Sequence, residues 1–345
     1  MKFDVVVGNP PYDKDTDNNR DSPIYHFFYE LAFEISDISV LISPARFLFN
    51  AGHTPKAWND KMLNDPNLKV AFFTQKGSDV FNNTDIKGGV TVIYRDKNKE
   101  FGAIESFTSH EELNSILKKV NSDSKFVSLN TIHHGNSSYK FTPLVYEDFP
   151  ELKEVVKKQE RNSIGSKVFE THSILFKDKP DEEHTVGLWG LSNRKRGLKW
   201  INKKYIREHP NLNRYKILVP GANGTGAIGE ILSTPLIGEP LIGEPLIGYT
   251  QTFISFGEFD NEIEAINALK YIKTKFARTM LGVLKITQNN KTKHVWKYVP
   301  LQDFTNNSNI DWSKSIPEID QQLYKKYGLS DKEICFIEEK VKAME

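Results

Sequence analysis

The sequence predicts an α/β fold for its first hundred residues and a mixed α+β region with a helical C-terminus for the remainder. Short apolar runs, which are typical of buried strands, alternate with segments of helical spacing up to about Phe101. Beyond that residue, polar stretches separate short strand-like pieces, and helical spacing returns near the end. We therefore predict two domains, residues 1–100 and residues 101–345, as suits a chain of 345 residues.

The first domain is predicted to hold four strands and two helices. The strands are the apolar runs at residues 5–7, 38–43, 69–74 and 89–94. Apolar residues from Tyr25 to Phe33 recur at helical spacing, and residues 56–63 are predicted as a shorter helix. Strands that alternate with helices favour a mainly parallel sheet covered on both faces.

The second domain is predicted to contain several helices. They fall at residues 111–120, 150–161 and 261–284, with a final pair within residues 319–344. Apolar residues form one continuous stripe along residues 261–284, which makes this the longest predicted helix. In the final pair, Gly328 can end one helix and Ser330 can cap the next.

A pentapeptide repeat interrupts the second domain. The sequence Pro-Leu-Ile-Gly-Glu begins at Pro235 and again at Pro240, and a shortened copy begins at Pro245. A proline at every fifth position forbids a continuous helix or a central strand, so the repeat is predicted to be a loop or an edge segment. We interpret it as a duplication on the protein surface rather than a binding loop.

Composition narrows the class of protein. Hydrophobic residues make up 38% and charged residues 26%, which excludes collagen-like, coiled-coil and disordered chains. Since 46 Lys and Arg balance 45 Asp and Glu, affinity for nucleic acid must come from local patches. The lone Cys335 excludes a disulfide framework, and the histidine spacing predicts no metal site. Without a membrane-length apolar run or a signal-peptide layout at the start, we expect a cytoplasmic protein with no membrane partner.

Chemistry is concentrated in the five residues that follow the first predicted strand, Gly8-Asn9-Pro10-Pro11-Tyr12. Open α/β sheets bind ligands at the carboxyl ends of their strands. The side-chain oxygen of Asn9 and the carbonyl of Pro10 can accept the two N–H bonds of an exocyclic amine, which localises its lone pair for attack on a methyl group. The two prolines fix these acceptors in advance, and Tyr12 offers a ring face for a flipped base. A tight polar turn is the alternative.

This turn resembles the catalytic motif Asn-Pro-Pro-Tyr/Phe of gamma-type adenine-N6 DNA methyltransferases, and Eco57I-like restriction-modification methylases in particular. Residues 22–28, 41–48 and 80–93 resemble further family segments in the same order, as do 274–278, 296–300, 310–313 and 320–329. The resemblance implies a Rossmann-like sheet, S-adenosyl-L-methionine as cofactor, double-stranded DNA as substrate, and a target-recognition region after residue 100. It implies catalytic roles for Asn9, Pro10, Pro11 and Tyr12, with a flipped adenine held between Tyr12 and Phe81.

The order of motifs departs from the family. There, the cofactor-binding strand and its glycine-rich turn precede the catalytic motif, whereas this sequence starts at the catalytic strand. We therefore expect an incomplete sheet with an open edge at residues 5–7, a complementing methyltransferase or restriction subunit as partner, and little activity of the chain alone. The cofactor-binding residues stay unassigned, because the glycine cluster at residues 221–226 is better explained as a turn or a loop near DNA.

A basic stretch at residues 189–207 is the predicted DNA-binding segment. It contains no acidic residue, and it includes three aromatic residues besides its seven cations: Trp189, Trp200 and Tyr205. These cations are Arg194, Lys195, Arg196, Lys199, Lys203, Lys204 and Arg207. Such a density suits a phosphate-binding surface, with a solvated basic face as the alternative. Residues 285–297 form a second, weaker cluster.

Three other functions stay open. The same tetrapeptide serves methyltransferases that modify glutamine side chains or structured RNA, but those tend to end soon after the catalytic domain. A fragment of a bifunctional type II restriction enzyme is a second alternative, although no nuclease-like cluster of carboxylates and lysine is present. A non-catalytic DNA-recognition subunit would keep the basic stretch and leave Asn9 without a catalytic role.

Overall fold

The computed structural model describes residues 3–14, 22–50, 53–75, 77–81, 86, 89–155, 157–223, 228, 235–285 and 287–344. The chain divides into two compact units, Met1–Asn114 and Ser115–Glu345. Both units mix helices with sheets, which confirms the predicted α/β class at this level. None of the helices in the described ranges is both long and apolar enough to cross a membrane.

The first unit contains a four-stranded sheet, a two-stranded ladder and two helices. Its elements are β1 (Phe3–Gly8), β2 (Asp13–Lys14), β3 (Ser22–Pro23), α1 (Tyr25–Ile35), β4 (Ser36–Pro44), α2 (Lys56–Asn64), β5 (Leu68–Thr74) and β6 (Val90–Asp96). These bounds confirm the four predicted strands and both predicted helices of the first domain. A further helix, α3 (Glu111–Asn121), begins in the first unit and ends in the second.

The sheet of the first unit has the strand order β1-β4-β6-β5. Strand β1 is parallel to β4, whereas β6 is antiparallel to both β4 and β5. Three strands therefore share one direction, but only one pair is parallel, so the prediction of a mainly parallel sheet was only partly right. The departure lies in β6, which runs opposite to both of its neighbours, whereas a crossover connection would have made it parallel to them.

Helix α1 covers one face of this sheet. Tyr29 is completely buried there, and its hydroxyl lies 3.0 Å from Ser43 Oγ. The helix ends where Ser36 donates its hydroxyl to the Ala32 carbonyl, at 2.8 Å, and the backbone becomes extended. Burial of these aromatic and small side chains against β4 is the main source of stability in this layer.

Strand β1 lies at the edge of the described sheet, with β4 as its neighbour. Val6 points towards the core beneath α1, whereas Val5 and Val7 point to the opposite face and are 47% and 74% exposed. The prediction of an open apolar edge at residues 5–7 is therefore confirmed for the described part of the chain. Cover on both sheet faces, also predicted, is not seen over Val5 and Val7.

The second unit contains two further sheets and several helices. Its elements are β7 (His133–His134), α4 (Leu144–Asp148), α5 (Val168–Thr171), β8 (Val186–Ser192), β9 (Lys195–Ile201), β10 (Tyr215–Pro220), β11 (Leu241–Gly243), β12 (Ile247–Tyr249), β13 (Phe253–Phe259), α6 (Glu262–Lys273), α7 (Lys275–Gly282), α8 (Ile316–Lys326) and α9 (Asp331–Lys340). One sheet has the order β11-β10-β13-β7 and the other has the order β12-β8-β9.

Two helix predictions in this unit need correction. The predicted helix at residues 261–284 is two helices, because Thr274 breaks it: its hydroxyl donates to Tyr271 O at 2.6 Å and accepts the Ala277 N–H at 3.1 Å. Residues 150–161 form only short 3-10 turns, Pro150–Lys153 and Lys158–Glu160. The final helical pair is confirmed as α8 and α9, with Ser330 and Glu333 forming a capping box at the start of α9.

The pentapeptide repeat is part of the core, contrary to the predicted surface location. Its first copy is a turn in which Leu236 is fully buried with a φ of 63°. The second copy supplies β11, which pairs with β10, and the third supplies β12, which pairs with β8. Both strands lie at sheet edges, as the proline spacing predicted. The four residues between Pro240 and Pro245 suffice for a strand of three residues. Leu236, Ile237 and Ile247 are buried, and the other Leu and Ile side chains of the repeat are half-buried.

Candidate functional site

The turn after β1 is held at both ends. Gly8 lies so close to β4 that a Cβ atom there would be 3.3 Å from Leu41 Cδ2. At the other end, the Tyr12 carbonyl accepts the N–H of Ile24 at 2.9 Å, and the β2–β3 ladder follows directly. The turn is thus fixed between a sheet strand and the start of α1.

The four residues of the predicted motif differ in exposure. Pro10 is buried, Tyr12 is half-buried, and Asn9 and Pro11 are exposed. Within the described ranges, the Asn9 side chain has no hydrogen-bond partner. An exposed amide on a prolyl turn is therefore available to accept a hydrogen bond from a ligand.

The structure brings Tyr12 and Phe81 together. Their ring centroids are 6.4 Å apart and their planes make an angle of 67°, an edge-to-face contact. Phe81 lies in the link between β5 and β6, where its N–H donates to Gly77 O at 2.9 Å. A base stacked between two rings needs nearly parallel planes about 7 Å apart, twice a carbon contact distance, so one ring must turn to admit it.

The Tyr12 hydroxyl is buried and has no hydrogen-bond partner among the described residues. Burial raises the pKa of this phenol, so the side chain is neutral near pH 7. A neutral ring with an unused hydroxyl suits stacking better than proton transfer.

An aromatic cluster lies beside the turn and was not predicted as part of the site. It begins with Tyr25 and His26 in the first turn of α1 and includes Trp58, whose ring centroid is 5.7 Å from that of His26. Burial raises the pKa of Tyr25 to about 12 and lowers the pKa of His26. Helical spacing included Tyr25 but gave no role to His26 or Trp58, and the Ile24 N–H bond to the Tyr12 carbonyl places the start of α1 next to the turn.

The predicted DNA-binding stretch forms strand β9 and the turn after it, and its seven cations fall into two sets. Lys199 pairs with Asp178 at 2.6 Å and Lys204 pairs with Asp148 at 2.8 Å. The Arg207 Nε atom donates to the Phe141 carbonyl at 2.9 Å. The guanidinium of Arg196 lies 5.8 Å from the ring centroid of Phe253.

The remaining three cations are exposed. Arg194, Lys195 and Lys203 make no ion pair or side-chain hydrogen bond in the part of the chain that the structure describes. Arg194 and Asn193 form the connection between β8 and β9, with φ angles of 63° and 51°. Positive φ at both positions indicates a two-residue hairpin turn of type I′.

Two other predicted features contribute less to a DNA surface. Lys285, in the weaker basic cluster, is completely buried and cannot reach a phosphate. Of the glycine cluster, residues 224–226 lie outside the described residues. Gly221 packs against Lys291, since a Cβ atom at Gly221 would lie 2.6 Å from Lys291 Cε.

Comparison with solved structures gives low similarity scores. The type IIG restriction endonuclease BpuSI is 12% identical, with 97% of this chain and 52% of that chain covered and a TM-score of 0.31. The Type IIL restriction-modification enzyme MmeI, in complex with DNA, is 10% identical, with 97% and 56% covered and a TM-score of 0.35. This chain thus spans about half the length of either structure, and scores this low carry no argument about function.

Comparison with known sequences is more informative. A segment of 95 residues is 30% identical to an "Uncharacterized adenine-specific methylase" of Mycoplasma pneumoniae (strain ATCC 29342 / M129 / Subtype 1), which is 26% of this chain and 22% of that protein. Residues 1–81 match the profile of the family described as "Eco57I restriction-modification methylase". The resemblance to Eco57I restriction-modification methylases that residues 9–12 predicted is therefore confirmed over residues 1–81.

Proposed function

We propose that this chain belongs to a site-specific DNA methyltransferase of a restriction-modification system, which transfers a methyl group from S-adenosyl-L-methionine to adenine N6 in duplex DNA. The observation that carries the proposal is the turn of Asn9 to Tyr12, fixed at the end of β1 with its Asn9 side chain exposed, inside a segment that matches methylases. On this proposal, the first unit holds the catalytic part of a Rossmann-like sheet, and the region after residue 100 recognises DNA.

The residues of this chain act on the acceptor side of the reaction. The methyl donor would supply an electrophilic methyl group. Asn9 Oδ1 and the Pro10 carbonyl would each accept one N–H of the adenine amine, which directs the nitrogen lone pair at that methyl group. After transfer, the amine nitrogen loses one proton to solvent. Because Pro10 is buried and the turn is held at both ends, the two acceptors need little reorganisation during the reaction.

Base binding would use the ring pair next to the turn. Turning either Tyr12 or Phe81 out of its edge-to-face contact opens a slot for a flipped adenine. The slot would bind the base by stacking, which tolerates the neutral Tyr12 phenol. Catalytic roles for Asn9, Pro10, Pro11 and Tyr12, and stacking roles for Tyr12 and Phe81, follow from this arrangement.

DNA binding would use the cations of the second unit. The exposed set of Arg194, Lys195 and Lys203 is available to phosphates as it stands. Lys199 and Lys204 would first have to leave Asp178 and Asp148. Arg196 and Arg207 are held by Phe253 and the Phe141 carbonyl, and contribute only from those positions.

A complementing polypeptide, either a methyltransferase or a restriction subunit, would pair with the open edge of β1. Unpaired backbone groups along an apolar edge strand favour pairing with another strand. The exposed Val5 and Val7 side chains beside that edge are the observation in favour of a partner.

The proposal is tested by methyl transfer and calorimetry on the same protein. We would titrate the chain with S-adenosyl-L-methionine, with and without a pool of unmethylated duplexes, and assay the DNA for N6-methyladenine. Asn9→Ala should abolish methylation while leaving DNA affinity unchanged, with exposed Glu244→Ala as the control. If the unaltered chain neither binds S-adenosyl-L-methionine nor methylates DNA, it needs its complementing subunit, and the comparison is made with that subunit present. Where the unaltered chain methylates DNA, methylation by the Asn9→Ala chain at the same rate would contradict the proposed catalytic role.

A further inference from the structure

We propose that the tip of the β8–β9 hairpin enters a groove of the DNA, where Arg194 contacts base edges while Lys195 contacts a phosphate. This inference rests on the proposed function. It adds that the β8–β9 hairpin is the element that recognises the DNA sequence and names the side chains that make the contacts. It is carried by the shape of the hairpin, the backbone of its turn and the distribution of its charges.

The lower part of the hairpin is rigid. Its ladder runs without a break from Val186 opposite Ile201 to Ser192 opposite Lys195. Gly190 is packed so tightly that a Cβ atom there would lie 2.6 Å from Phe169 Cε2. The structure therefore fixes the direction in which the tip projects.

The tip itself is free. Residues 193–196 are all exposed, whereas neighbouring Gly190 is buried. A major groove about 12 Å wide admits a two-stranded ribbon, so a tip of this width fits without a conformational change in the strands. Gly197, opposite Gly190 in the ladder, has no described atom within 4 Å of the position that a Cβ atom would take.

The backbone of the turn singles out Arg194. Its φ of 63° is the left-handed conformation that favours glycine at the second position of such a turn. A long charged side chain in this conformation is disfavoured on backbone grounds alone. Five other described non-glycine residues also have positive φ, so the assignment of Arg194 to a DNA contact depends on its exposed guanidinium as well as on this backbone conformation.

The distribution of charge at the hairpin tip also supports a contact with DNA. The Glu170 carboxylate accepts the backbone N–H of Asn193 at 3.1 Å, which stabilises the turn. No described carboxylate pairs with Arg194 or Lys195, whereas Lys199, four residues further along β9, is paired with Asp178. Two of the three cations of the stretch that lack a described partner, Arg194 and Lys195, therefore lie at the tip.

Side-chain chemistry separates the roles. A guanidinium presents two parallel N–H donors, which match the O6 and N7 atoms of guanine in the major groove. An ammonium group is a compact charge that suits a phosphate and carries no sequence information. Arg194 at the end of the turn is placed to reach bases, and Lys195 beside it to reach the backbone.

The test uses the full chain, a randomised duplex library and fluorescence anisotropy with the selected duplexes over a range of salt concentrations. Arg194→Gly keeps the turn, because glycine suits its φ. It should weaken binding to selected sequences about 5- to 150-fold and broaden the selected consensus at one position. Lys195→Ala should weaken binding to all duplexes equally and lower the slope of log K against log salt by about 1.

Lys177→Ala is the matched control, because this lysine lies outside the basic stretch and pairs with Asp181, and it should leave affinity and consensus unchanged. If the unaltered chain binds DNA but Arg194→Gly selects the same consensus with the same affinity, the inference is wrong and the proposed function stands. If the unaltered chain shows no salt-dependent DNA binding, the proposed function fails and this inference fails with it.

Discussion

The Tyr12 ring meets the Phe81 ring edge to face, with centroids 6.4 Å apart, while the Tyr12 hydroxyl is buried without a partner among the described residues. The ring and the hydroxyl therefore have separable roles. If the ring face holds the base, its removal should impair methylation, whereas removal of the hydroxyl should matter little.

We expect Tyr12→Ala to lower kcat/KM for methyl transfer about 5- to 150-fold, because stacking of one base on an aromatic ring contributes about 1–3 kcal/mol. Tyr12→Phe should stay within about twofold of the unaltered chain and unfold no more easily, since an unpaired buried hydroxyl contributes no net stability. Steady-state methylation and thermal unfolding of both variants check this. Equal losses in Tyr12→Phe and Tyr12→Ala would assign the role to the hydroxyl instead.

Asp320 connects α8 to the first turn of α7. Its carboxylate accepts the N–H groups of Lys275 and Phe276 at 3.0 and 2.9 Å. Burial nevertheless raises the pKa of Asp320 from 3.8 to about 6. Between pH 4 and 6 the folded chain therefore keeps a proton that the unfolded chain has released, and this residue lowers stability by roughly 3 kcal/mol as pH rises through that window.

Asp320→Asn should remove this fall. We expect the difference in unfolding free energy between Asp320→Asn and the unaltered chain to move in favour of the variant from pH 4 to pH 6. Denaturant unfolding at several pH values measures it, with exposed Glu244→Gln as the control. A difference that does not change with pH would show that Asp320 titrates alike in the folded and unfolded chain.

His133 affects the pH dependence of stability in the opposite direction to Asp320, over nearly the same pH range. Burial, aided by nearby His134 and Lys293, lowers the pKa of His133 from 6.5 to about 4. Between these values the unfolded chain binds a proton that the folded chain does not, so the contribution of His133 to stability is fully present above pH 6.5 and is lost on acidification towards pH 4. The effect is roughly 3 kcal/mol before allowance for partial exposure.

We expect His133→Gln to lose this acid sensitivity, so that the opposing contribution of Asp320 becomes visible as a fall in stability from pH 4 to 6. Equilibrium unfolding of the single variants and of the double variant measures both effects. Acid destabilisation of equal size with and without His133 would contradict the assignment.

Local signals in the sequence explain which features could be predicted. Strand β1 and the cap at Ser330 are specified by residues next to one another, and both are confirmed. The catalytic roles of residues 9–12 stay a prediction. The break at Thr274 was missed because the apolar stripe continues through it, while the bond that creates the break uses a single hydroxyl. The two sets of cations could not be separated because their partners are distant: Asp148 lies 56 residues before Lys204.

The repeat at residues 235–248 is predicted to tolerate no deletion. Its copies supply a buried turn, β11 and β12, and Glu244 O accepts the buried Lys216 ammonium at 3.0 Å. Removal of residues 240–244 leaves two copies to form the buried turn, β11 and β12. One edge strand and the carbonyl that accepts from Lys216 are therefore lost. We expect the unfolding free energy to fall by about 2–5 kcal/mol, as for other large core losses. Glu244→Ala keeps the backbone carbonyl and should leave the unfolding free energy unchanged. If the deletion variant is as stable as the unaltered chain, this prediction is wrong.

The open edge of β1 is expected to cause self-association of the chain. Val7 is 74% exposed on a strand that pairs with β4 on one side. Without a partner, such an edge should lead the chain to associate with itself, and a charge on the edge should oppose that association. We expect sedimentation velocity to show concentration-dependent association of the unaltered chain and a monomer for Val7→Lys, which replaces an exposed side chain and leaves the core intact. Glu244→Gln at an exposed position raises the net charge by the same single unit as Val7→Lys, and the association of this control should persist. A chain that stays monomeric at all concentrations and binds S-adenosyl-L-methionine tightly would show that β1 needs no partner.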